Sequence, residues 1–219
     1  MLKAVFWDND GVLVDTEHLY LEASRVTLAE IGVALGEAEF VDLSLRQGRS
    51  VFDLADGRVD AAAIDALRTR RNERYADLLR AGVPALAGVE PVLAALRGHL
   101  RLAVVTSAAH EHFELIHAHT GLLRYFEFAV TNRDYARSKP HPDAYATALR
   151  RADLGPDEVV AIEDSERGLA AAVAAGLRCL VIPRGLTRGG DFGAAHAVLD
   201  DASAVPQALR ALQAGVLAR

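Results

Sequence analysis

The sequence predicts an α/β fold: a parallel sheet covered by helices on both faces, with an all-helical segment inserted after the first strand. Three observations carry this. A short apolar run, KAVFW at 3–7, stops in acids and Gly11, as a buried strand running into a turn does. From 16 to 83 the apolar patterns have helical spacing and no strand-like run occurs. Beyond VPALAG strand-like runs return, each followed by a helical pattern, and such alternation with short connections specifies a parallel sheet.

The elements follow in order. In TEHLYLEASRVTLAEIG, Leu19, Ala23, Val26 and Leu28 recur at near-helical intervals and Gly32 is the stop. EAEFVDLSL, SVFDLA and AAAIDALRTRRNERYADLLRAG continue in the same texture. The later strands are expected at LRLAVVT (100–106), FEFAVT (126–131), EVVAIED (158–164) and LRCLVIP (177–183), with AHAVLD a last short one. AHEHFELIHAHTG, PDAYATALRRADL and ERGLAAAVAAG are the helices between them. Residues 1–15 and 84–219 therefore form the expected α/β core, and 16–83 a separate helical unit.

Composition excludes several classes. At 219 residues and 51% hydrophobic content the chain can bury a full core and is too apolar for a disordered segment. The net charge of -6 argues against a nucleic-acid partner, because the basic residues are scattered apart from RTRRNER at 68–74. No stretch approaches the roughly 18 apolar residues that span a bilayer, and Asp8 interrupts any leader-like run. The single cysteine, Cys179, suits a reducing compartment. The expectation is a cytoplasmic protein without a membrane partner, a monomer or weak dimer. His110, His112, His117 and His119 lack the tight constellation of a zinc site and are expected at the surface. RGLTRGGDFG does not follow a strand as a dinucleotide fingerprint must, and is expected to be a flexible surface loop.

Ligands of open parallel sheets bind beyond the carboxyl ends of the strands. The first strand ends in Asp8, Asn9, Asp10 and Gly11, the second in Thr106 and Ser107, and the strand at 158–162 in Glu163 and Asp164. RSKPHPD places Lys139 in a proline-held loop after the third. Each acid alone is a common turn former or helix cap; the joint pattern at strand ends points to a site. Asp8, Asp10 and Asp164 offer the hard oxygen ligands that Mg²⁺ prefers. A carboxylate attacking a phosphate dianion meets like-charge repulsion, which Mg²⁺ and Lys139 would offset. Asp10, two residues beyond Asp8, is placed to protonate a leaving oxygen and then deprotonate water.

DNDGVLVDTE, VVTS, SKPHPD and IEDSERGLAAAVAAG, in this order, resemble the four motifs of the haloacid dehalogenase (HAD) superfamily. The branch most resembled is that of β-phosphoglucomutase and phosphoglycolate phosphatase, over essentially the whole chain. The resemblance implies a Rossmann-like core, a helical cap over the site, and Mg²⁺-dependent phosphatase activity on a small phosphorylated metabolite. It makes Asp8 the nucleophile and Asp10 the general acid/base, with the Asp10 backbone carbonyl on the metal. Thr106, with Ser107 beside it, becomes the phosphate-binding hydroxyl, Lys139 the motif lysine, and Glu163 and Asp164 the acidic pair at the metal. True dehalogenases lack the second aspartate, so Asp10 favours phosphoryl chemistry. Asn9 departs from the family, which usually carries an apolar residue there; its amide either touches the cap or faces solvent. RNERY at 71–75 resembles a Lys/Arg-Asn-x-x-Tyr pattern of this branch, which makes Arg71 a substrate-binding candidate. Gly48 and Arg49 lie in an expected cap loop facing the site. Mutases of the branch carry a histidine where this chain has Tyr20, which favours hydrolysis over phosphosugar mutation. A phospho-aspartate signalling receiver shares the acids, hydroxyl and lysine, but is much shorter and has no helical insertion.

Overall fold

The computed structural model describes residues 1–215, so the last four residues of the expected core range, 216–219, lie outside it. Six strands form one parallel sheet: β1 (Ala4–Trp7), β2 (Arg101–Val105), β3 (Phe128–Val130), β4 (Val159–Glu163), β5 (Arg178–Val181) and β6 (Ala197–Val198). Their spatial order is β3-β2-β1-β4-β5-β6. The chain winds outward in one direction from β1 to β3 and in the other from β4 to β6, so the order reverses beside β1, where a crevice for ligands opens. Phe6 of β1 pairs with Ala103 on one side and Ala161 on the other.

Burial of both faces explains why the strands read as continuous apolar runs. Val5 and Trp7 point into one core with Val104 and Ile162, whereas Ala4 and Phe6 point into the other with Ala103 and Ala161. In the helical segment, α1 (Glu17–Ala29), α2 (Glu37–Phe40) with a π turn at Val41–Arg46, and α3 (Ala61–Arg80) enclose a third core around Leu28, Phe40, Phe52 and Leu67. Its two connections to the sheet run side by side: Val14 bridges Ala85, and Leu86 N–H donates to Leu13 O at 2.9 Å.

Around the sheet lie α4 (Val89–Leu96), α5 (His110–His117), α6 (Asp143–Ala152), α7 (Glu166–Ala174) and α8 (Val205–Gln213). The first core packs against α4 and α8, the second against the alanine-rich faces of α6 and α7. Helices α4 and α8 were not expected from the pattern. Each carries a proline in its first turn, Pro91 and Pro206, where the missing N–H has no intrahelical partner to lose. Among the described residues no helix is long and apolar enough to cross a membrane.

Candidate active site

Asp8 stands where β1 ends. Its N–H still donates to Ile162 O at 2.9 Å, so the ladder fixes the backbone that carries the carboxylate. Lys139 reaches it from the loop before α6, with Nζ 2.7 Å from Asp8 Oδ1, 2.6 Å from Glu163 Oε1 and 2.8 Å from Val105 O. All three ammonium protons thus have acceptors although Lys139 is 3% exposed. Burial opposes its charge, but the carboxylates of Asp8 and Glu163 outweigh burial and hold its pKa above the ordinary lysine value. Tyr145 O–H, from α6, donates to the same Glu163 oxygen at 2.6 Å.

The acids are pushed up as well, which for them disfavours the charged form. Burial and the neighbouring Asp8 carboxylate raise the Glu163 carboxyl to about 7. Burial, with Glu17 and Asp8 nearby, holds Asp164 well above the carboxylate range, and burial raises Asp8 too. Three buried carboxylates against one lysine make a site that attracts another cation. Asp8, Glu163 and Asp164 each offer a ligand atom, all within 4.8 Å of one another, and Glu163 Oε2 is buried without a hydrogen-bond partner. Hard oxygens, one of them orphaned, fit Mg²⁺. Two glycines leave room for them. A Cβ on Gly168 would lie 1.9 Å from Glu163 Oε2, and one on Gly11, whose φ is +79°, would lie 2.1 Å from Asp164 Oδ2.

The side chain of Asp10 is not part of that cluster, contrary to the expectation from spacing alone. Thr16 Oγ1 donates to Asp10 Oδ1, and Thr106 Oγ1 lies 3.4 Å from Oδ2, so the carboxylate is held toward the pocket instead. Thr106 is fully buried and its hydroxyl accepts from Ala108 N–H at 3.0 Å. Ser107 Oγ is buried without a partner at the pocket wall, as a hydroxyl waiting for an anion would be. Asn9 does not face solvent, and the partner of its amide oxygen is on α5. It is fully buried and its Oδ1 lies 2.7 Å from His117 Nε2.

The pocket, about 310 Å³, is closed on its far side by the helical segment. Arg71 lines it, its guanidinium 4.3 Å above the Tyr20 ring and 5.4 Å from that of Phe52. Tyr20 meets Tyr75 edge-on at 5.1 Å. Gly48 packs against the Lys139 loop, where an added Cβ would lie 3.1 Å from Lys139 O. Arg49 turns away to pair with Asp53 at 2.8 Å and does not line the pocket. Glu17, which the sequence reading passed over, also lines it, and burial pushes its carboxyl up to about 8. Thr16 was passed over as well; its place six residues after Asp10 was the available signal.

Two expectations are corrected here. His112 and His117 are buried, not at the surface, because α5 turns them with Phe113 and Ile116 onto its packed face. His112 Nε2 lies 3.3 Å from Asn72 O, and its ring meets Tyr75 edge-on at 4.9 Å. The RGLTRGGDFG segment is not merely a surface loop. Thr187 is buried with its Oγ1 3.4 Å from Asp164 Oδ2. Arg46 of the π turn bonds Glu166 Oε2 at 2.8 Å and Gly189 O at 3.0 Å, joining the helical segment to this loop.

Comparison with known proteins agrees with this geometry. Residues 5–182 match the family described as haloacid dehalogenase-like hydrolase. Protein CbbY of Cereibacter sphaeroides is 35% identical over 212 residues, covering 91% of this chain and 92% of that protein. A phosphoglycolate phosphatase of Nitrosospira multiformis is 30% identical over 197 residues, 87% of each chain. The crystal structure of a CbbY variant from Rhodobacter sphaeroides in complex with xylulose-(1,5)bisphosphate has a TM-score of 0.80 at 30% identity, covering 93% of this chain and 96% of that one. The chain belongs to the haloacid dehalogenase-like hydrolase family, an enzyme among relatives named as phosphatases.

Proposed function

We propose that this chain is a cytoplasmic, Mg²⁺-dependent phosphatase that hydrolyses a small phosphorylated metabolite, of the sugar phosphate or phosphoglycolate type, through an aspartyl-phosphate on Asp8. One observation carries the reading: Lys139 bonds Asp8 and Glu163 together, buried, at the edge of a pocket that Asp10 and Ser107 also line. Residues 16–83 are the cap and 1–15 with 84–219 the catalytic core.

In the first step the Asp8 carboxylate attacks phosphorus and the bond to the ester oxygen breaks. Asp10 gives that oxygen its proton, so the metabolite leaves as an alcohol. In the second step Asp10 takes a proton from water, whose oxygen attacks phosphorus and breaks the bond to Asp8, releasing inorganic phosphate. Ser107 directs its free hydroxyl at the phosphoryl oxygens where charge accumulates, the Lys139 ammonium beside Asp8 offsets that charge through space, and Thr106 stands next to both at the end of β2. Asp8, Asp164, the Asp10 carbonyl and Glu163 would hold Mg²⁺, which when bound would add charge neutralisation for the phosphoryl group.

Arg71, projecting from the cap into the pocket, is the residue for the non-reacting end of the substrate. A cavity of about 310 Å³ suits a metabolite rather than a polymer. The bisphosphate held by the similar CbbY structure puts bisphosphorylated sugars first in a screen. Hydrolysis is favoured over mutation because Tyr20, stacked between Arg71 and Tyr75, stands where mutases have a histidine.

The test is phosphate release from a panel of phosphorylated metabolites by wild type and by Asp8→Asn, a nearly isosteric change that removes the nucleophile. Multiple turnovers are expected for wild type and none for the variant. A folded Asp8→Asn protein with wild-type turnover would sink the mechanism. Incubation with β-glucose 1-phosphate and a trace of the bisphosphate separates the rival activity. Glucose 6-phosphate accumulating far faster than inorganic phosphate would make the protein a mutase.

A further inference from the structure

Behind Asp10, away from the pocket, runs a buried polar chain that the hydrolytic steps do not use. Leu122 N–H donates to Thr120 Oγ1 at 3.2 Å, and Thr120 Oγ1 lies 2.8 Å from His117 Nδ1. His117 Nε2 lies 2.7 Å from Asn9 Oδ1, and Asn9 Nδ2 donates to Asp10 Oδ2 at 3.3 Å. Asn9 is fully buried and His117 is 6% exposed, its ring tilted against Phe113 at 4.6 Å between centroids. A buried amide costs free energy unless it is hydrogen-bonded, and an apolar side chain would carry no such cost here. The amide therefore has a use that a packing residue would not serve.

The direction of every bond in the chain is set by its neighbour. The ionised Asp10 carboxylate, the form left once the leaving oxygen has taken its proton, accepts only, so Asn9 turns its NH₂ toward it and its carbonyl toward His117. A carbonyl accepts only, so His117 carries its proton on Nε2 and keeps a lone pair on Nδ1. That lone pair takes the Thr120 O–H. Burial lowers the His117 pKa to about 4, so the imidazole is neutral at neutral pH and this single tautomer is the donor. Without His117 the Asn9 amide loses the partner that fixes its sense. Flipped, it would aim its carbonyl at the Asp10 carboxylate and repel it.

We propose that Thr120, His117 and Asn9 form a positioning relay that holds the Asp10 carboxylate in the direction from which it protonates the leaving oxygen. Asn9 and His117 are positioning residues, since neither touches substrate, and the proposal rests on the reading of Asp10 as general acid/base. Thr16 and Thr106 tether the same carboxylate from the cap connection and from the end of β2; the relay is the tether from α5.

The test compares two leaving groups in Asn9→Leu, His117→Leu and Asp10→Asn. A sugar phosphate leaves as a basic alkoxide and needs the acid, whereas para-nitrophenyl phosphate leaves as a stabilised phenolate and does not. The ratio kcat/KM covers the steps through departure of the leaving group, so it isolates this proton transfer. Losing a hydrogen bond to a charged group predicts a fall in kcat/KM for the sugar phosphate of about 10- to 100-fold in Asn9→Leu. The aryl phosphate should lose less than about threefold, and KM for either should stay nearly constant. Equal losses on both substrates in a protein that melts like wild type would make Asn9 a packing residue and overturn the relay. Should Asn9→Leu fail to fold, Thr120→Val decides: it removes the O–H on Nδ1 at a half-buried position and is expected to show the same selectivity, smaller in size. A folded Thr120→Val without selectivity overturns the relay too. ¹⁵N NMR of the His117 ring should show the proton on Nε2; a proton on Nδ1 instead contradicts the chain of donors. If Asp10→Asn itself shows no leaving-group selectivity, the acid/base reading falls; if it does and Asn9→Leu does not, the relay alone falls.

Discussion

Replacing Lys139 by Met keeps the aliphatic stem and removes a cation from the least solvated point of the site. The lysine is 3% exposed and spends two of its three hydrogen bonds on the carboxylates of Asp8 and Glu163. Val105 O accepts the third, so the carbonyl loses its ammonium partner as well. Removing one partner of a buried ion pair typically costs about 3–5 kcal/mol, because the remaining charge stays buried without compensation. The Glu163 carboxyl already stands at about 7 with the lysine present, so without it this group takes up a proton, which keeps the loss within that range. For a chain of this size each kcal/mol is worth roughly 2–4 °C, giving a fall in Tm of about 6–20 °C. Urea unfolding of wild type and Lys139→Met at neutral pH, both in chelator, measures it. Phosphate release by the folded variant should fall about a hundred- to thousandfold, the size of effect expected when one preorganised electrostatic partner of a developing charge is removed. A Lys139→Met protein within about 1 kcal/mol of wild type would refute the account of Lys139 as the counter-charge of the buried acids.

Three further outcomes are expected. Asp164→Ala should raise the Mg²⁺ concentration needed for activity, and wild type should lose activity in EDTA and regain it with Mg²⁺; full activity in excess EDTA would contradict the metal site. Arg71→Ala should lower kcat/KM for phosphorylated metabolites about tenfold more than for para-nitrophenyl phosphate, a difference of about 1.4 kcal/mol in binding the non-reacting end; equal losses would make Arg71 structural. His117, whose pKa falls from 6.5 to about 4 on burial, contributes stability that is fully present above pH 6.5 and is lost as pH falls through about 4. The difference in unfolding free energy between wild type and His117→Phe should therefore shrink by up to about 3 kcal/mol on acidification through that window, and a difference independent of pH would refute it.

The sheet was legible because burial on both faces leaves strands with little choice of residue, and AVFW, RLAVV and VVAIE all lie within the runs expected. So was the convergence of Asp8, Lys139, Glu163 and Asp164, since a parallel sheet brings its strand ends to one edge whatever the side chains between them do. Pro91 and Pro206 hid two helices, because a proline reads as punctuation unless its place in the first turn is known. The histidines of α5 were misjudged for a related reason. Their burial depends on which helix face meets α3 and the sheet, and four histidines in ten residues blur the apolar periodicity that would show it. The partner of Asn9 lies 108 residues away, a distance at which no local pattern speaks.

The bond from Arg46 to Glu166 crosses from the helical segment to α7 with side chains 42% and 25% exposed. A pair so open to water is worth at most about 1 kcal/mol, so it does not by itself hold the helical segment over the pocket. Screening by salt at physiological strength, over about 8 Å, lowers that contribution further. In the proposed enzyme such a pair can break and re-form with every turnover at little cost, and raising the salt should weaken it before it touches the buried ion pairs of the site.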